Sequence, residues 1–414
     1  MAEAVYILSA VRTPVGKFGG MLADFTAPDL GVIAVRAALK RAFGQPLPAE
    51  RTPEEVVSSR ADGQQLPWHV DELVFGNARP AGVGPNPARQ IAWRSGLADN
   101  VPAFTVNMAC ASGLRAVILG WQEILLGRAR IIVAGGAESM SRVPYLLEGR
   151  WGFKMGNQPL VDAMYRDGFF CPLSKLIMGE TAEILAEQYK ISRDEQDAFA
   201  LESHRRAACA AGESRFESEI IPIEKMDKKS NVTRLDRDEH VRPDLTLEAL
   251  AKLSPAFTKT GTVTAGNSSG ITDAAAAVVL ASEDKVRELK LAPLARIVDA
   301  TIAAVDPRVM GIAPVPAVRS LSERTGTKLE DYEAVELNEA FAAQVIACDR
   351  DLHFDRKRLN PNGGAIALGH PIACTGARIL TTLVHEVRQK PGRKGLATLC
   401  VSGGMGVALE IETV

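Results

Sequence analysis

Ile131-Ile-Val-Ala-Gly-Gly136 and Leu399-Cys400-Val-Ser-Gly-Gly404 are two versions of one pattern, an apolar run closed by paired glycines. Two more pairs recur in the same chain order. Asp71-Glu-Leu-Val-Phe-Gly-Asn77 resembles Tyr332-Glu-Ala-Val-Glu-Leu-Asn338, and Val5-Tyr-Ile-Leu-Ser-Ala10 resembles Ala295-Arg-Ile-Val-Asp-Ala300. Short apolar runs of this kind read as buried strands, and they alternate with helix-period segments in the first and last thirds, which predicts layered α/β packing. The repeated order makes those thirds two copies of one unit. The copies are offset by 290 residues at Ile7 and Ile297 but by 261 at Asn77 and Asn338, so the first copy holds about 29 extra residues. The Pro-, Ser- and Glu-rich stretch 45–68 is where a surface excursion of that size fits.

The middle third differs. From Ser141 to Phe257 the chain is charged and loop-rich, with local helix signals such as the capping box Ser192-x-x-Glu195, which opens a helix through Ala211 closed by Gly212. This reads as an inserted lobe. The expected division is 1–141 with 260–292 as one half, 142–259 as the insertion and 293–414 as the second half.

The 414 residues exceed what one core normally holds. Lys+Arg 48 against Asp+Glu 50 leave no basic excess for nucleic acid. The start MAEAVYILSAVRTP reads as a first strand and not a leader peptide, and no run approaches the roughly 18 apolar residues of a membrane span. Six scattered cysteines without a C-x-x-C pair predict neither zinc nor disulfides, which fits a reducing cytoplasm.

Chemistry concentrates at four places. In Phe104-Thr-Val-Asn-Met-Ala-Cys110-Ala-Ser-Gly a cysteine stands at a strand-to-helix junction, with Leu114, Val117, Trp121 and Leu125 following at helical spacing. Helix N-terminal N–H groups favour thiolate, and the small neighbours admit a substrate carbonyl. Alone, such a cysteine is more often structural than catalytic. Its company is His370 in Gly363-Gly-Ala-Ile-Ala-Leu-Gly-His-Pro371, Cys400 at a strand end, and Asn338-Glu339 at another strand-to-helix turn.

With Val11-Arg-Thr-Pro-Val-Gly-Lys-Phe-Gly-Gly20, these motifs follow in order along nearly the whole chain, and the sequence resembles the thiolase family. The resemblance implies duplicated, layered α/β halves with an inserted loop domain, an acyl-cysteine on Cys110, His370 as its base and Cys400 as a second proton carrier. It implies Asn338, through a water, and His370 at the enolate oxygen, the backbone N–H groups of Cys110 and Ser402 at the other oxyanion, and Glu339 as an orienting group. It places Arg242, Ser269, Met178 and Phe341 against coenzyme A, which acts as a substrate with no permanently bound cofactor or metal. It also implies a homodimer or homotetramer. The implied reaction is thiolytic cleavage of a 3-ketoacyl-CoA or the reverse condensation; a short-chain acetoacetyl-CoA-forming enzyme and a non-catalytic acyl-CoA or lipid binder are the alternatives. Ketoacyl synthases lack the second cysteine, and no G-x-G-x-x-G follows the first strand. Three positions depart from the family pattern: Ile177 stands where short-chain members have His, Ala373 where Gly is usual, and Ser402 where Gly is frequent.

Overall fold

The computed structural model describes residues 4–45, 47–52, 68–226 and 230–414. Nine strands run through one sheet: β1 (Val5–Arg12), β2 (Glu72–Gly76), β3 (Ala103–Val106), β4 (Ile131–Ser139), β5 (Thr272–Ser282), β6 (Ala295–Ala304), β7 (Tyr332–Leu337), β8 (Lys394–Val401) and β9 (Met405–Thr413). Their order is β7-β8-β9-β6-β1-β5-β4-β2-β3, and the short strand Gly16–Lys17 pairs β5.

The duplication is visible in this order. From β1 outward the pairings are antiparallel to β5, antiparallel to β4, then parallel to β2. From β6 outward they are antiparallel to β9, antiparallel to β8, then parallel to β7. The halves join where β1 and β6 pair antiparallel, Val5 opposite Ile297 and Ile7 opposite Ala295.

A bulge recurs as well. The register of β1 on β5 shifts between Ile7 and Ser9, and that of β6 on β9 between Ile297 and Asp299. An extra residue reverses the in/out alternation beyond it. Accordingly Val5, Ile7 and Ala10 share one core while Leu8 and Val11 face another, and Ala295, Ile297 and Ala300 repeat the first set 290 residues on.

The helices that matter here are α1 (Ala27–Phe43), α2 (Ser112–Leu125), α3 (Met178–Gln188), α4 (Arg193–Gly212), α5 (Pro314–Thr325), α6 (Ala342–Leu352) and α7 (Ile372–Val387). Helices α2 and α7 share a core with Val5, Ile132, Leu280 and Val407, whereas α1 packs with Val133 and Val279. In the second half α5 and α6 pack with Leu337 and Leu396. Between β4 and β5 the chain leaves the sheet for short hairpins and for α3 and α4. Helix α4 opens on the Ser192–Glu195 capping box, as expected. It runs through Gly212 itself, and the left-handed residue past its end is Ser214 (φ 58). Most of the excursion expected at 45–68 lies outside the described residues; beside it the rings of Phe43 and Trp68 stack at 4.2 Å. Among the described residues no helix is long and apolar enough to cross a membrane.

Candidate active site

Cys110 and His370 occupy matching places, each two residues before a central helix, α2 and α7 respectively. Glycine lets those helices touch at their first turns. A Cβ on Gly113 would come 2.7 Å from the Ala373 carbonyl oxygen, and one on Gly376 would come 2.5 Å from the Leu114 nitrogen. Any larger residue at either place would part the helices and draw the two reactive groups apart. The turn before α2 is held open by local bonds. Ala109 sits at φ 44, an uncommon region for a residue with a Cβ, while Met108 N donates to Ser112 Oγ (2.9 Å) and Ser112 Oγ donates to Ala109 O (2.7 Å).

Cys110, His370, Cys400 and Ser402 line one cavity of about 670 Å³. Arg242, Ser269, Met178 and Phe341 line it too, so eight of the nine residues expected to react or to touch substrate meet there. Phe341 meets Phe257 edge-on, with ring centroids 6.0 Å apart, and Ser269 N bonds Ala340 O at 3.0 Å. The exception is Asn338. It is 1% exposed, its neighbours Ala340 and Phe341 reach the cavity, and both its side-chain polar atoms lack a partner among the described residues. A buried amide in that condition has bonding capacity to spare for a water or a substrate oxygen. Glu339 is buried and fully engaged, accepting from Ser203 Oγ (2.6 Å), Asn360 Nδ2 (2.9 Å) and Ile366 N (3.2 Å). It fixes the loops around the site.

The histidine's tautomer follows from its partners. Thr375 Oγ1 donates to Pro371 O (3.1 Å), so it accepts from His370 Nδ1, 2.6 Å away. The proton is then on Nδ1, and Nε2, which has no partner among the described residues, carries a free lone pair. Burial, with Arg378 and Arg79 adding repulsion, pushes the imidazole down to about 3. At neutral pH it is an uncharged base.

The two thiols are set apart by their surroundings. Burial pushes Cys110 upward, against the pull of the Arg79 guanidinium and the N–H groups of Ser402 and of Cys110 itself. Desolvation outweighs the helix position and its N–H groups, which favour the anion. Cys110 rests as a thiol and needs a base. Cys400, 1% exposed at the end of β8, is pushed much further by burial and by Cys110 and Cys348. It holds its proton firmly.

The thiolase N-terminal domain model matches residues 5–284 and the C-terminal domain model residues 291–413. The chain belongs to the thiolase family. It is 47% identical over 410 residues to the acetyl-CoA acetyltransferase of Pseudomonas aeruginosa and 46% identical over 409 residues to that of Cupriavidus necator, each alignment covering 99% of both proteins. The Bacillus anthracis acetyl-CoA acetyltransferase structure superimposes with a TM-score of 0.91 at 42% identity, covering 100% of this chain and 99% of the other. Human mitochondrial 3-ketoacyl-CoA thiolase superimposes with 0.90 at 40% identity over the full length of both. This thiolase is an acyltransferase.

Sequence reasoning missed several lining residues of the thiolase site, notably Arg79, Phe169, His240 and Ile372. Arg79 carried the one usable signal, a charged residue just past a buried parallel strand, where α/β sheets commonly place sites. The ring of His240 stacks on that of His204 at 6.2 Å, and no spacing in the sequence pairs them.

Proposed function

We propose that this thiolase cleaves 3-ketoacyl-CoA with coenzyme A as its second substrate, and runs the condensation in reverse. The observation that carries this is the unpartnered Nε2 of His370 in the same cavity as the Cys110 and Cys400 side chains. His370 takes the Cys110 proton as the sulfur attacks the 3-keto carbon. The C2–C3 bond breaks, its electron pair passes to the acetyl-CoA enolate, and Cys400 protonates C2. Coenzyme A then gives its thiol proton to the Cys400 thiolate and attacks acyl-Cys110. The departing Cys110 sulfur recovers its proton from His370.

Two oxyanions need donors along this path. The Ser402 and Cys110 N–H groups, which face the Cys110 sulfur at rest, serve the tetrahedral oxygen. Asn338 and His370, which donates from Nε2–H once it holds the Cys110 proton, serve the enolate. Arg242 and Ser269 take the coenzyme A side, with Met178 and Phe341 against its apolar stem. Ile177 in the lining supports acyl groups longer than acetyl. The insertion 142–259 supplies Tyr165, Ile177, Met178 and Phe257 to the wall, which supports reading it as a lobe over halves 1–141 with 260–292 and 293–414.

The open edge of β3, with exposed Phe104, supports a homodimer or homotetramer. Six free thiols support a reducing cytoplasm. Mass spectrometry tests the central step. Incubation with acyl-CoA labels Cys110 in the native enzyme, and Cys110→Ser abolishes thiolysis while coenzyme A still binds. Full thiolysis by a Cys110→Ala protein would sink the proposal.

A further inference from the structure

One cation in the cavity wall takes and gives no proton in that reaction, though its charge favours the Cys110 anion. Arg79 follows β2, lines the cavity with Cys110, and is only 7% exposed. The adjacent Ala78 shares an apolar cluster with Cys110, Phe169 and Ile372, and Arg79 itself lines the cavity with these last three. Gly168 makes room for it: a Cβ there would stand 2.7 Å from Arg79 Nε and 3.0 Å from Cζ. Nη1 donates to Ala78 O at 2.9 Å, and the buried Nε has no partner among the described residues. The nearby carboxylate, Glu138, accepts from Asn77 Nδ2 and from the backbone N–H groups of Ala78, Arg79 and Ala373.

A buried guanidinium with an unmade hydrogen bond is costly, and a planar fork of N–H groups matches a carboxylate. A purely hydrocarbon acyl chain lying along Phe169 and Ile372 would leave that cost in place. We propose that Arg79 binds a carboxylate carried by the acyl group on Cys110, so that the substrates of this enzyme include 3-ketoacyl-CoA thioesters of dicarboxylic acids. The proposal rests on the thiolase reaction above and names its substrate class.

Thiolysis of 3-oxoadipyl-CoA, which ends in a carboxylate, is measured beside that of 3-oxohexanoyl-CoA, equally long and ending in methyl. The native enzyme is expected to favour the carboxylate substrate by about tenfold or more in kcat/KM. Arg79→Leu reverses the preference, and Arg79→Lys, which keeps charge without the fork, lies between. A native enzyme that favours the methyl substrate overturns the proposal, whether or not the variants fold. An Arg79→Leu enzyme that loses both substrates equally also overturns it, because the cation would then act on Cys110 generally. Acetoacetyl-CoA separates the two levels. If it is cleaved while the carboxylate preference is missing, the Arg79 proposal alone fails; if no 3-ketoacyl-CoA is cleaved, the reaction itself is wrong and the proposal falls with it.

Discussion

Cys110 and Cys400 are the same functional group in the same cavity, yet their surroundings differ and the proposed reaction gives them opposite duties. Cys110 lies at the mouth of α2, partly exposed, with two N–H groups and a guanidinium favouring its anion. Cys400 ends a buried strand, and its own backbone N–H is set against burial and two neighbouring thiols. In the proposed reaction the first is therefore the thiol that a base opens, and the second is the thiol that returns a proton. Paired groups whose environments push them apart divide the work of nucleophile and acid.

The largest expected effect breaks the pair outright. Cys110→Ala lowers thiolysis by about 10⁴-fold or more and removes acyl labelling altogether, since the covalent route is gone. Cys400→Ala costs about 10²–10⁴-fold in thiolysis, the scale of a lost acid/base group, but leaves Cys110 able to accept a label from acyl-CoA. Equal loss of labelling in both variants would end the division of labour. Asn338→Ala is expected next, at about 10²–10³-fold in kcat, with acyl labelling retained, because the enolate is absent from the labelling step.

The pH profile sharpens the same comparison. A lowered imidazole stays neutral until the pH falls to about 3, so His370 remains a competent base throughout the neutral and mildly acidic range. The expected kcat/KM is flat from about pH 8 down to about pH 5. Stopped assays over that range decide the matter, and a loss centred near 6.5 would mean that an ordinary, solvated histidine governs the cycle instead.

The residues that sequence reasoning reached are those whose role is local. Paired glycines after an apolar run betrayed the duplication, and cysteine and histidine before helical spacing marked the two helix mouths. The shared bulge at Ile7 and Ile297 lay hidden, because a bulge is a mismatch with a partner strand far away in the chain. The weight of desolvation at Cys110 lay hidden for a related reason. Helix position is written in sequence, whereas desolvation depends on what Phe169 and Ile372 cover after folding. Arg79 escaped notice because Gly168, which makes its seat, is 89 positions away.

The smallest effect concerns the second contact of the base. Thr375 neither reacts nor lines the cavity, and it fixes the Nδ1–H tautomer of His370 through a 2.6 Å bond. Val has nearly the same shape and removes the acceptor, leaving Nδ1–H buried without a partner. A neutral hydrogen bond is worth about 1 kcal/mol net, which corresponds to a several-fold population of the other tautomer, with its lone pair turned away from the substrate. Thr375→Val is therefore expected to reduce kcat by about fivefold with KM little changed. The same factor should appear in the rate of Cys110 acylation, because both steps draw on Nε2. A change confined to KM, or to thermal stability, would show that the threonine supports packing and leaves the choice of base to the ring itself.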